Sequence, residues 1–129
     1  MKKGFTLIEI LIVMTLIGIL VVIVLPSHKT AVIKAKESVL KENLFQIRDA
    51  INKYYTDKNK YPTSLEDLIT TKYLRRIPID PFLNSTDWEV VHFEPEDMED
   101  FDPEIAEGII DVKSHNEGTA LDGTKYNEW

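Results

Sequence analysis

The sequence predicts an α+β chain in which a long, kinked amino-terminal α-helix leads into a small head built on an antiparallel β-sheet with long loops. Three observations predict it. Phe5 to Leu25 is an apolar run of 21 residues whose single charge is Glu9. Beyond Pro26, apolar residues recur at steps of three and four as far as Tyr54. Further on, Trp88 to Phe93 and Gly108 to Ser114 are rich in β-formers and bounded by turn residues.

Composition narrows the possibilities. A chain of 129 residues whose first 25 cannot join a soluble core has roughly 100 left, enough for one small head. There is no cysteine, so neither disulfides nor thiolate metal sites support that head, whichever compartment it occupies. Charge is divided: Pro26 to Arg76 carries 11 Lys and Arg against 6 Asp and Glu, whereas Ile77 to Trp129 carries 2 against 15. The acidic end repels a phosphate backbone, which disfavours nucleic-acid binding, and attracts cations or basic surfaces.

As a helix, the first apolar run rises about 31 Å, matching a hydrocarbon core of about 30 Å. It is too long for an ordinary secretory signal and no Ala-x-Ala cleavage site follows it, so a retained membrane anchor is expected. Lys2 and Lys3 would flank it on the cytoplasmic side, although Lys29, Lys34 and Lys36 beyond the other end leave charge alone unable to orient it. Glu9 is the residue a plain anchor does not explain. A charge near the middle of a span costs about 2.5 to 3.5 kcal/mol on insertion scales, so it calls for a partner. Glu9 lies only about 6 Å along the helix from Phe5 and can stay near the headgroups in a free subunit. The local alternative is an acid placed at the positive end of the helix dipole.

The succession Lys2-Lys3-Gly4-Phe5-Thr6-Leu7-Ile8-Glu9 ahead of a long apolar helix closely resembles the class III signal of type IV pilins and type II secretion pseudopilins. The resemblance implies that a prepilin peptidase removes residues 1–4 by cutting between Gly4 and Phe5, and methylates the new amine of Phe5. Residues 5–25 would remain as the transmembrane and polymerisation helix, with residues 26–129 as a periplasmic head that includes the amphipathic half of the long helix. It further implies that Glu9 neutralises the terminal amine of Phe5 in a neighbouring copy. Glycine suits the cut because it presents no side chain to a protease cleft.

Pro26 removes a helical hydrogen bond and is expected to kink the helix without ending it, since periodicity resumes. Val32, Val39, Leu40, Leu44, Ile47, Ile51 and Tyr54 form a stripe opposite Lys34, Lys41, Arg48 and Lys58, so one helix from about Phe5 to Thr56, roughly 78 Å long, should hold the head on one face. Gly18 in the span suits close helix packing. Asp57 to Lys60 reads as a polar turn, and Thr63-Ser64-Leu65-Glu66 as a capping box opening a short helix to about Lys72. The two prolines of Ile77-Pro78-Ile79-Asp80-Pro81 forbid a regular helix there. Between the two strands, Glu94 to Glu107 holds eight acids and two prolines and reads as a solvated connection.

Tyr61-Pro62, the capped helix and Ile-Pro-x-Asp-Pro together look like the major pseudopilin, the G subunit of type II secretion. The oxygen-rich end, Ser114 to Trp129, resembles the loop that holds calcium in many G subunits, and the residues positioned to supply oxygens are Asn116, Glu117, Leu121 through its carbonyl, Asp122 and Thr124. The paired aspartates usual there are reduced to Asp122-Gly123, which leaves equally open a loop held by Tyr126 and Trp129 packing without metal.

No catalytic constellation is present. His28, His92 and His115 lie far apart, and neither a phosphate loop nor a nucleophile elbow occurs. The resemblance implies a structural subunit in the bacterial inner membrane with its head in the periplasm. By resemblance it would polymerise with copies of itself and with minor pseudopilins, on an inner-membrane assembly platform, into a filament that drives protein export. A surface type IV pilin for adhesion, motility or electron transfer is the alternative within the family. A monomeric, membrane-tethered acidic binding module is the alternative outside it.

Overall fold

The computed structural model describes residues 3–93 and 108–129, and the acidic connection expected at residues 94–107 lies outside them. The chain divides into two compact units, Met1–Ala35 and Lys36–Trp129. Helix α1, Leu7–Lys58, contributes to both, and its helical assignment continues through Pro26. Within the first unit the Leu, Ile and Val side chains of the apolar run are exposed, and α1 is long and apolar enough to cross a membrane. Thr15 donates its hydroxyl to the Leu11 carbonyl at 2.7 Å. A polar group in an apolar run is thereby satisfied within its own helix, as a lipid environment requires.

The second unit is built on the remainder of α1. Leu40, Leu44, Ile47, Ala50, Ile51 and Tyr54 are buried, which is the predicted stripe from Leu40 onward with Ala50 added. Three residues depart from it. Val32 and Val39 are exposed, whereas Arg48, expected on the solvent side, turns along the edge of the stripe and reaches the head. Its guanidinium supplies several donors on a long apolar stem, so it can lie against the core and still find acceptors.

Helix α2, Leu65–Thr70, is shorter than expected, and its cap is shifted by one residue. Ser64 Oγ accepts from the Asp67 N–H at 3.2 Å. Asp67, not Glu66, turns back, and its carboxylate accepts from the backbone N–H and the hydroxyl of Thr63. Those bonds, the hydroxyl's first, hold the Asp67 carboxyl below its ordinary range. Leu65 and Leu68 face the core.

The proline-rich loop that follows is organised by a buried carboxylate. Asp80 Oδ1 accepts from the N–H groups of Phe82 at 2.8 Å and Leu83 at 3.2 Å, closing the turn, while Oδ2 accepts from Ser114 Oγ at 2.5 Å. Trp88, also buried, donates its indole N–H to the Pro78 carbonyl at 2.9 Å. Asn43 of α1 donates to the Ile79 carbonyl at 2.8 Å, which fastens the loop to the helix.

Strands β1, Glu89–His92, and β2, Ile109–Lys113, pair antiparallel, each falling just inside its predicted span. The register shifts between Val91 and His92, so inward and outward positions do not alternate cleanly along β1. Gly108 enters β2 against Tyr61, where a Cβ would stand 2.2 Å from Tyr61 Cβ. Only glycine admits that approach, and it lets Ile109 N donate to the Pro62 carbonyl at 2.8 Å.

Replacing Asp80 with Ala would leave three donors in or near the core without an acceptor, each costing about 1 to 3 kcal/mol. Urea unfolding of Asp80→Ala is expected to show a loss of about 3 kcal/mol or more, and Asp80→Asn, whose amide oxygen keeps the two backbone donors, should recover most of it.

Candidate assembly segment and carboxyl-terminal loop

At the amino end, residues 3–6 precede the helix. Gly4 is exposed with nothing within 4 Å of where a Cβ would lie, and Phe5 is 79% exposed. The helix starts two residues later than expected because Thr6 caps it. Thr6 Oγ1 accepts from the Glu9 N–H at 3.3 Å, the Thr6 N–H points back at Glu9 Oε2 at 3.5 Å, and the Thr6 carbonyl accepts from Ile10 N. This reciprocal arrangement is a capping box. Glu9 therefore has a partner within its own chain, and the Gly4–Phe5 bond sits in exposed, non-helical backbone just ahead of the capped turn. The signature Thr-x-x-Glu was legible in the sequence but hidden by the apolar context.

At the other end, the residues considered as oxygen donors lie in one tight loop. Ala120 N donates to the Thr124 carbonyl at 2.7 Å, Gly123 N to the Ala120 carbonyl at 3.0 Å, and Tyr126 N to the Gly118 carbonyl at 3.0 Å. Gly123 adopts φ +90, which the turn after Asp122 requires. Asn116 Oδ1 accepts from Gly118 N at 2.9 Å. Asp122 Oδ1 accepts from both the backbone N–H and the hydroxyl of Thr124, at 3.0 and 2.6 Å, and these bonds hold its carboxyl below the ordinary range. Thr124 Oγ1 in turn accepts from the Trp129 indole at 2.7 Å. Glu117 and Leu121 are exposed. Among the described residues no three Asp, Glu, His or Cys side chains gather as a metal-binding group.

The loop is fastened by three α1 residues that sequence reasoning did not single out for it. Glu37 Oε1 accepts from Leu121 N at 2.8 Å and from the Tyr126 hydroxyl at 2.9 Å. Lys41 Nζ lies 4.3 Å from the centre of the Trp129 ring. Arg48 donates through Nε to Asp111 at 2.6 Å, and through Nη2 to the carbonyls of Val112 at 3.0 Å and Trp129 at 2.8 Å. Glu37 and Arg48 are eleven residues apart, about three helical turns, so they share one flank of the stripe. Tyr126 packs against Phe82 and Trp129 with ring centres 4.5 and 5.0 Å away. Burial first, and then the bond to Glu37, push its phenol up to about 12.

An apolar helix that begins just after an exposed Gly4-Phe5 pair and a capped Glu9, and whose second half carries a small sheet and a clasped loop, defines a type IV pilin-like protein. The prokaryotic N-terminal methylation motif matches residues 1–25. The type II secretion system core protein G of Pseudomonas aeruginosa is 32% identical over 99 residues, covering 64% of this chain and 70% of that protein. The protein of the same name in Klebsiella michiganensis is 31% identical over 97 residues, 63% and 68% of the two chains. Fimbrial protein EcpC of Eikenella corrodens is 39% identical over 61 residues, 47% of this chain and 40% of that protein. No solved structure matches. The chain belongs to the type II secretion system core protein G family, the pseudopilins.

The Tyr126 phenol titrates above its ordinary 10.0, so its contribution to stability is complete below about pH 10 and is lost as pH rises toward 12. Ultraviolet titration is expected to show a late phenolate that disappears in Tyr126→Phe. Tyr73, raised by its bond to Asp57, should remain late in that variant.

Proposed function

We propose that the chain is a structural subunit of a type II secretion pseudopilus. It is made as a membrane-anchored precursor, cut by a prepilin peptidase between Gly4 and Phe5, methylated at Phe5, and polymerised from the inner membrane with its head in the periplasm. The observation that carries this reading is the exposed Gly4–Phe5 bond beside the capped Glu9, in a chain of the core protein G family. A peptidase needs accessible backbone outside a helix, and the exposed, non-helical residues 3–6 support this reading.

Cutting there would leave the Phe5 amine one residue from the Thr6 N–H that Glu9 already faces. In a bundle of apolar helices Glu9 enters lipid-free but equally apolar surroundings, where an ammonium from a neighbouring copy offsets its desolvation. Losing one member of such a pair costs about 3 to 5 kcal/mol, because the other charge is stranded. Glu9 then has two successive roles: it caps its own helix before assembly and sets register between copies after it. The remaining partners in this reading are minor pseudopilins and the inner-membrane platform.

The similarity to EcpC favours a second reading, a surface pilin. It covers less than half of each chain, whereas the core protein G relatives account for about two thirds of both. A tethered monomer would need no polymer.

Glu9→Gln separates the two roles of Glu9, because the amide can still cap but carries no charge. Shear fractions should contain filaments for the wild type and lack them for Glu9→Gln and Glu9→Ala; wild-type assembly by Glu9→Gln would refute charge pairing. Mass spectrometry of the mature chain should give a methylated Phe5 terminus, and any other terminus removes the processing step.

A further inference from the structure

We propose that the carboxyl-terminal loop of this chain closes without a metal ion, on the Glu37 carboxylate of α1. A calcium loop must turn six to eight oxygens toward a common centre at about 2.3 to 2.6 Å. This loop presents the opposite polarity to its anchoring point. The Leu121 N–H and the Tyr126 O–H both point at Glu37 Oε1, so hydrogen-bond donors converge on an anion where oxygens would have to converge on a cation. Charge-assisted bonds of this kind are about twice as strong as neutral ones.

Three of the five residues that could have formed a cage already use a side-chain oxygen as a hydrogen-bond acceptor. Asp122 Oδ1 holds Thr124 through two bonds, Thr124 Oγ1 receives the Trp129 indole, and Asn116 Oδ1 closes its own turn. The carbonyls of Gly118, Ala120 and Thr124 close the backbone of the loop on itself. Glu37 and Arg48 then hold the two ends of the segment, at Leu121 and Trp129, from one flank of one helix. Among the described residues no three Asp, Glu, His or Cys side chains gather at this loop, so a divalent ion entering here would gain only scattered carboxylates. Head folding in this subunit therefore does not follow the calcium concentration of its compartment.

The test is hydrogen exchange of residues 116–129 in the full chain held in detergent, with millimolar calcium or excess chelator, and it reads folding independently of any filament. The readout is local because the eight acids of residues 94–107 attract cations by themselves. Protection of the loop is expected to be the same in both conditions, to fall about tenfold or more in Glu37→Ala, and to return in Glu37→Gln, whose amide oxygen accepts both bonds. Deprotection by chelator, or rescue of Glu37→Ala by calcium, would overturn the proposal. Wild-type protection in Glu37→Ala would equally overturn it by removing the hub. Should Glu37→Ala fail to fold, the chelator comparison on the wild type decides alone.

Discussion

The head depends on where Arg48 places its guanidinium. Its partner Asp111 is more than a third exposed, and an ion pair so wetted contributes about 0 to 1 kcal/mol by itself. Its value lies in geometry. One planar group on α1 reaches both a side chain and the backbone of β2 and, beyond it, the carbonyl of Trp129. The two-stranded sheet is too small to be stable alone, and three strands or a covering helix are normally needed. Arg48 fixes β2 to the helix that covers it.

A head of this size without cysteine lacks the fasteners that small exported domains commonly use. The chain uses polar contacts instead, some exposed and some buried, divided between the flanks of the apolar stripe. Glu37, Lys41 and Arg48 hold the carboxyl-terminal segment. Asn43 holds the proline loop, and Lys36 lies over the Phe82 ring. Asp80 joins the two sides, since it closes the proline loop and receives the Ser114 hydroxyl just beyond β2. The same helix that would anchor and polymerise the subunit is thus the template on which its head folds.

Patterns with a local period were readable from the residues, and long-range polar pairs were not. The stripe between Leu40 and Tyr54 followed from spacing, although its predicted start at Val32 came eight residues early, and both strands followed from β-former content with ends within about a residue of the structure. The cap of α2 was misplaced by one because Thr63–Glu66 and Ser64–Asp67 share the spacing of a capping box, and with Ser64 as the N-cap it is Asp67 that stands where a side chain can turn back to Thr63. Glu37 and Arg48 escaped notice because their partners lie 63 to 89 residues away, where no local period connects them. Of the assembly segment, Gly4, Phe5 and Glu9 were legible as a motif, whereas the capping role of Thr6 required the helix start to be seen.

The head is fastened to α1 through Arg48, and site-resolved hydrogen exchange of Arg48→Met tests this most directly. Methionine keeps an unbranched apolar stem and removes only the donors. Protection is expected to fall most in Ile109–Lys113 and in Tyr126–Trp129, and less in α2, to which none of these Arg48 bonds runs. Unchanged protection in those two segments, or a loss spread evenly over the head, would contradict it.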